Sequence, residues 1–269
     1  MCVPGCLQHV QSGLNRRGFL GAGALAAGAT LIAPAASAQS RSFAKVVDLT
    51  HTVSPEFPTF FGVAAIELAD RFTYAKDKLN LKIWTVNEHT GTHIDSPFHF
   101  SENGWTVDLI PVENLVCPLC VIDIATRAQD DADAQLTPDD IKAWEGAHGP
   151  IPAGACVAMH SGWEKHLATD KYRNADADGI MHFPGFHPEA IAMLTEGRQA
   201  VGIGVDTMSL DHGASKDFAV HYAWLPTNRW GMECMASLGD VPASGATLVV
   251  GAPKVKGATG GPARILALV

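Results

Sequence analysis

The chain has 269 residues, with 19 Lys and Arg against 28 Asp and Glu and a formal net charge of −9. That acidity argues against nucleic acid or an anionic membrane surface as a partner. No run of five like charges interrupts it, so the charge belongs to a solvated face rather than to an acidic tail.

Residues 1–38 read as a targeting segment. Asn15-Arg16-Arg17-Gly18-Phe19-Leu20 resembles a twin-arginine export signal, and a weakly apolar Gly/Ala-rich run follows from Gly21 to Ala35. Ala36-Ser37-Ala38 then offers an A-x-A cleavage site before Gln39. The run is too short and too rich in glycine and alanine to span a bilayer well. The expectation is a periplasmic protein with one domain over residues 39–269 and no membrane contact once the signal is removed. That length suffices for a sizeable core.

Lys45 to Thr50 reads as a first strand. Phe57-Pro58-Thr59-Phe60-Phe61 is too crowded with Pro and Phe for a regular element; it is either a hydrophobic lid or a satellite cluster under a loop. Ile66–Leu68 and Leu81–Val86 are expected strands, the second running into His89-Thr90-Gly91-Thr92-His93-Ile94-Asp95-Ser96-Pro97-Phe98-His99. One helix cannot gather this stretch, because Asp95 would point about 200° away from His93 at 100° per residue. A straight strand would hold His89 and His93 about 13 Å apart, near the limit for ligands that each bind at about 2 Å. A chain that leaves a strand and curls remains, and Gly91 permits the bend through a positive φ. A lone histidine is usually a packed core residue, but four His/Asp residues in eleven positions point to a catalytic metal site.

Further on, Leu119–Ile124 is a continuous apolar run, as a buried strand requires. Cys117-Pro118-Leu119-Cys120 leads into it and is read as core packing, with a disulfide open as an alternative. Thr137-Pro138-Asp139-Asp140 starts a helix, with threonine at the N-cap, proline at N1 and acids in the first turn. Ala155–Met159 is another buried strand, ending in His160-Ser161-Gly162-Trp163; His160 is a candidate pocket residue. Phe183–Glu189 is a turn opening a second helix to about Thr195, with His182 and His187 at the surface or as caps. Ala200–Val205 is a strand followed by Asp206-Thr207-Met208-Ser209-Leu210-Asp211, whose aspartates read as structural acceptors. His221 and Glu233 form a weak pair by spacing alone. Thr247–Gly251 and Ile265–Val269 close the chain as strands, and Gly257-Ala258-Thr259-Gly260-Gly261 reads as a flexible turn, since it lacks the lysine of a phosphate loop. Strands outnumber helices, and the class is mixed α/β.

The pattern His89-x-Gly-Thr-His93-x-Asp95-x-Pro-x-His99 resembles the signature of the cyclase family of metal-dependent hydrolases, which includes bacterial kynurenine formamidases and isatin hydrolases. The resemblance implies a swivelling β/β/α fold with the metal at one end of a central barrel-like sheet. It implies one or two divalent ions, Zn or Mn, the first held by His89, His93 and Asp95 and the second by Asp95, His221 and Glu233. It makes His99 the general acid/base. The implied activity is hydrolysis of a small cyclic amide or aryl formamide, by a homodimer. Within this frame the isatin-like reading leads; kynurenine formamidase proper, or a metal-carrying binding module without turnover, are the alternatives.

Overall fold

The computed structural model describes residues 42–269; the expected export signal lies outside them. Thirteen strands are described: β1 (Val46–Asp48), β2 (Ile66–Phe72), β3 (Leu81–Val86), β4 (His93–Asp95), β5 (Val116–Asp123), β6 (Gln135–Leu136), β7 (Cys156–His160), β8 (Gly185–Phe186), β9 (Gly202–Val205), β10 (Trp230–Glu233), β11 (Ala246–Gly251), β12 (Gly260–Pro262) and β13 (Arg264–Leu268). Nine of them form one mixed sheet in the order β1-β13-β11-β5-β7-β9-β10-β4-β12, strongly curled into a half-barrel. Its centre, β5 through β10, is parallel, and antiparallel strands flank it on both sides. The mixed α/β class and the barrel-like sheet are as expected from the sequence.

Parallel strands need crossovers, and the helices Pro138–His148 and Pro188–Gly197 supply them. The first begins with the expected cap: Thr137 and Asp140 satisfy each other reciprocally as a capping box. Ile141 and Trp144 of this helix, with Ile191 and Leu194 of the second, pack on Ile122, Val157, Met159 and Ile203. Side chains of opposite parity, among them Leu119, Cys156 and Ala158, join Ile94, Trp230, Met232, Leu248 and Ile265 in a second core. Both faces of the central strands are therefore buried, which is why they read as unbroken apolar runs. Each fully buried Leu or Ile contributes about 1.5–3 kcal/mol.

Cys117, Cys120, Cys156 and Cys234 are buried free thiols, so the C-x-x-C packs in the core; burial pushes Cys117 and Cys120 up to about 12. β2 and β3 form a separate hairpin, outside the main sheet. The glycine-rich segment departs from expectation. Gly260 and Gly261 are not a flexible turn but part of edge strand β12, paired with β4. Glycine is required there because a Cβ at Gly260 would lie 2.3 Å from the Ile94 carbonyl oxygen. Among the described residues no helix is long and apolar enough to cross a membrane.

Candidate metal centre

Alternation along β4 places His93 and Asp95 on one face while Ile94 enters the core. Antiparallel β10 sets Glu233 directly opposite His93, so its carboxylate joins the same face. His89 reaches them because the chain turns sharply at Gly91, whose φ is +64°. A Cβ at Gly91 would also meet Val53 Cγ2 at 2.3 Å. Thr92 pins the curl: its hydroxyl donates to the Cys234 carbonyl at 2.5 Å and accepts from the His51 amide at 2.9 Å. The stretch thus curls as expected, but only as far as Gly91; His93 and Asp95 then belong to a strand of the main sheet. Pro97 opens a short 3₁₀ turn that carries His99 back, its ring stacked on His89 with centroids 3.7 Å apart.

His221 arrives from the short helix Ala219–Trp224. Asp211 holds it there, accepting from the amides of Val220 (2.9 Å) and His221 (3.2 Å) and from His221 Nδ1 (2.6 Å). Asp206 likewise accepts from the Ser161 and Trp163 amides. Both aspartates are structural acceptors, as the sequence suggested.

The donor atoms converge. His93 Nε2 lies 3.3 Å from Asp95 Oδ1 and 3.3 Å from Glu233 Oε2, and His221 Nε2 lies 3.2 Å from Glu233 Oε1 and 3.6 Å from Asp95 Oδ2. Ligands bound tetrahedrally at 2.0–2.1 Å stand about 3.4 Å apart, so these separations suit metal ligands better than hydrogen bonds. His93 Nε2 and Asp95 Oδ2 are moreover buried without a hydrogen-bond partner. Orphaned buried polar atoms are costly, and a cation between them would satisfy both. Asp95 turns Oδ1 to His89 and His93 and Oδ2 to His221, so both of its oxygens face imidazole nitrogens. The residues fit a divalent ion.

The electrostatics agree. Burial opposes charge on His93, yet its contacts with Asp95 and Glu233 outweigh burial and raise it to about 10. Burial likewise opposes charge on His221, and Asp211, Asp95 and Glu233 overcome it, raising His221 well above the usual histidine range. Burial works against Asp95 too, but its three histidines hold it well below the usual carboxylate range. The carboxylates thus draw positive charge onto these nitrogens, where a metal would place it. His99 behaves oppositely: burial dominates and pushes it down to about 4, leaving a neutral imidazole.

Above the cluster opens a cavity of about 270 Å³. His89, His93, His99, His221 and Glu233 line it, and Phe60, Phe61, Phe100 and Phe218 form an aromatic wall. The two readings of the Phe57–Phe61 segment divide between its residues: Phe57 is buried in a satellite cluster, whereas Phe60 and Phe61 face the cavity. All six predicted site residues come together here. His160 does not: at the end of β7 it pairs in register with Asp123 of β5, its Nδ1 3.4 Å from that carboxylate, and it does not line the cavity. Sequence reading missed Phe100 and Phe218, and also Thr259, whose Oγ1 lies 2.9 Å from His89 Nε2, and Glu88, whose carboxylate Thr259 contacts.

The Cyclase family model matches residues 47–212. The isatin hydrolase of Roseibium aggregatum is 38% identical over 197 residues, covering 69% of this chain and 74% of that protein. The kynurenine formamidase of Salinibacter ruber is 24% identical over 224 residues, covering 81% of this chain and 95% of that one. The solved structure of an isatin hydrolase bound to the product analogue thioisatinate superposes with a TM-score of 0.78 at 34% identity, covering 84% of this chain and 92% of that chain.

Proposed function

This chain belongs to the cyclase family of metal-dependent hydrolases that act on amide carbon–nitrogen bonds, and within it we propose an isatin-type amidohydrolase that opens a small cyclic amide fused to an aromatic ring. The observation that carries the proposal is the aromatic-walled cavity directly above the converged histidines and carboxylates. A flat bicyclic substrate fits between phenylalanine faces, and apolar walls with a few convergent polar groups are what a small-molecule site needs. An aryl formamide such as N-formylkynurenine is the second reading, supported by the more distant kynurenine formamidase relatives. Relatives that are enzymes, and the presence of His99, disfavour a binding module without turnover.

His89, His93 and Asp95 would hold a first Zn or Mn ion, and Asp95, His221 and Glu233 a second. A divalent ion bound there lowers the pKa of water, toward about 7 in the best cases, and polarises the substrate carbonyl. His99, neutral through burial and stacked on His89 at the cavity floor, accepts the proton of the attacking water. A bond forms between the water oxygen and the carbonyl carbon, the carbon–nitrogen bond breaks, and His99 returns the proton to the leaving nitrogen. Phe60, Phe61, Phe100 and Phe218 orient the ring and exclude bulk water.

Two further proposals accompany this one. The segment resembling a twin-arginine signal supports periplasmic residence. The β2–β3 hairpin, outside the main sheet and exposing Leu68, Ile83 and Trp84 (70% exposed), supports a homodimer that covers it.

The test is hydrolysis of isatin and of N-formylkynurenine by residues 39–269, with metal content measured on the same preparation. Faster turnover of isatin with one or two equivalents of metal is expected. A metal-loaded protein that hydrolyses neither compound would return the binding-module reading.

A further inference from the structure

We propose that Arg173 is a positioning residue of this site: it fixes the backbone turn that carries Phe60 and Phe61, and through those two rings it sets the affinity for a flat aromatic substrate. The proposal rests on the amidohydrolase reading and adds to it a residue outside the cavity lining.

Phe60 and Phe61 sit on a loop with firm ends and a loosely held middle. At one end Phe57 is buried in the satellite core; at the other Ala65 is buried and donates its amide to the Pro55 carbonyl at 3.2 Å. Between them the turn is closed by the Gly62 amide on the Thr59 carbonyl (3.1 Å) and by the Thr59 hydroxyl on the Val63 carbonyl (2.7 Å). These bonds shape the turn without fixing its place over the cavity. Phe61 is 78% exposed, so packing holds it weakly. It meets Phe60 edge-on with centroids 5.4 Å apart, and Phe60 in turn leans on Phe218 at 6.1 Å.

Arg173 supplies the anchor. Its Nη2 donates to the Phe60 carbonyl at 3.1 Å, the one hydrogen bond that carbonyl receives among the described residues. A charged donor makes the stronger kind of hydrogen bond. Gly62 lets the guanidinium lie against the turn: its φ is +68°, and a Cβ there would stand 3.2 Å from Arg173 Nη1. The arginine grows from a rigid base. Trp163 Nε1 donates to the Tyr172 carbonyl at 2.9 Å, the Tyr172 hydroxyl donates to the Asp206 carbonyl at 3.3 Å, and both rings are buried. On the other side, the Asn174 side-chain amide donates to the His182 carbonyl at 2.8 Å. Among the described residues Arg127, Arg198 and Arg264 each hold a carboxylate, whereas Arg173 holds none and its buried Nε lacks a hydrogen-bond partner. Arginine suits carboxylates through its paired donors, so an arginine that reaches a backbone carbonyl instead is placed by the turn.

The test is steady-state kinetics of the metal-loaded protein on whichever of isatin and N-formylkynurenine it hydrolyses. Arg173→Met should raise KM roughly 5–50-fold, the worth of two aromatic contacts, with kcat and metal content close to wild type. Arg173→Lys keeps a charged donor and should recover part of the loss. The decisive comparison is a Phe60→Ala/Phe61→Ala background. There Arg173→Met should change KM by less than about twofold, because a residue that acts through the rings has nothing left to position. A role in stability alone would act equally in both backgrounds. An unchanged KM in Arg173→Met, a fall in kcat alone, or an equal rise in KM without the rings overturns the proposal and leaves the amidohydrolase reading intact. If the wild type hydrolyses neither compound, that reading falls, and fluorine NMR of 4-fluorophenylalanine at position 61 decides on Arg173. Its signal should move in Arg173→Met and return toward wild type in Arg173→Lys; one signal common to all three overturns the proposal. If Arg173→Met does not fold, Gly62→Ala presses on the guanidinium from the other side and should raise KM in the same way; an unchanged KM there overturns the proposal.

Discussion

Asp211→Asn is the sharpest perturbation of this centre, because it removes one charge and almost no volume. Asp211 is 2% exposed and receives three donors from one helical turn: the Val220 amide on Oδ1, and the His221 amide and ring Nδ1 on Oδ2. Asparagine keeps a single acceptor oxygen and gains an NH₂ group. If the NH₂ faces Val220, a buried amide donor loses its acceptor, at about 1–3 kcal/mol. If it faces His221, the ring must accept on Nδ1, and its proton moves to Nε2, the atom aimed at Asp95 and Glu233. The second outcome removes a metal donor outright. Outer partners of ligating histidines are typically worth 10–100-fold in metal affinity, or about 1.4–2.7 kcal/mol. The expected result is therefore a metal affinity reduced at least tenfold, a less stable protein, or both. Chelator competition and urea unfolding of the same preparation would show it. Wild-type affinity together with wild-type stability would refute the idea that Asp211 holds His221 in register and tautomer.

The remaining expectations are separate from that one. His99→Ala should lower turnover roughly 10²–10⁴-fold at unchanged metal content; because His99 lies within 4.8 Å of His89 and Asp95 donor atoms, loss of metal would instead make it a ligand. Gly91→Ala places a side chain at φ +64° and against Val53, costing about 1–2 kcal/mol for the backbone and about 1–3 for the overlap, read as a lower urea midpoint at unchanged m. Asp140 is opposed by burial but held below its ordinary 3.8 by Arg127 and Thr137, so its contribution is present above 3.8 and lost as pH falls through the folded value. Asp140→Ala should thus cost about 1 kcal/mol at neutral pH, and the gap to wild type should close in acid. Chelation should lower the thermal midpoint, since metal at 100 times its dissociation constant adds about 2.7 kcal/mol; an unchanged midpoint, after metal loading has been verified, would count against a site formed in the native state alone.

Much of the centre could be read from the sequence because its ligands sit close together around one glycine. His89, His93, Asp95 and His99 occupy eleven residues, and Gly91 is the one position there that takes a positive φ. The buried strands and the Thr137 cap were equally legible, since apolar runs and N-cap chemistry are local. His221 and Glu233 were not legible from spacing; the family resemblance supplied them. Only the pairing of β10 with β4 puts Glu233 opposite His93. Thr259 and Glu88 left no local signal, because a threonine and a glutamate 171 residues apart acquire meaning only when β12 docks on β4. Gly260 looked like turn material until the close approach of the Ile94 carbonyl and His89 showed that it must lack a Cβ. His160 sat beside an attractive motif and was carried away from the cavity by its register with Asp123. The sequence by itself determined that His89, His93 and Asp95 could bind a cation together, since that depends on residue type and short-range backbone freedom. Which carboxylate faces which imidazole, and which aromatic rings wall the cavity, were decided by the packing of distant segments, because contacts are a property of space rather than of chain order.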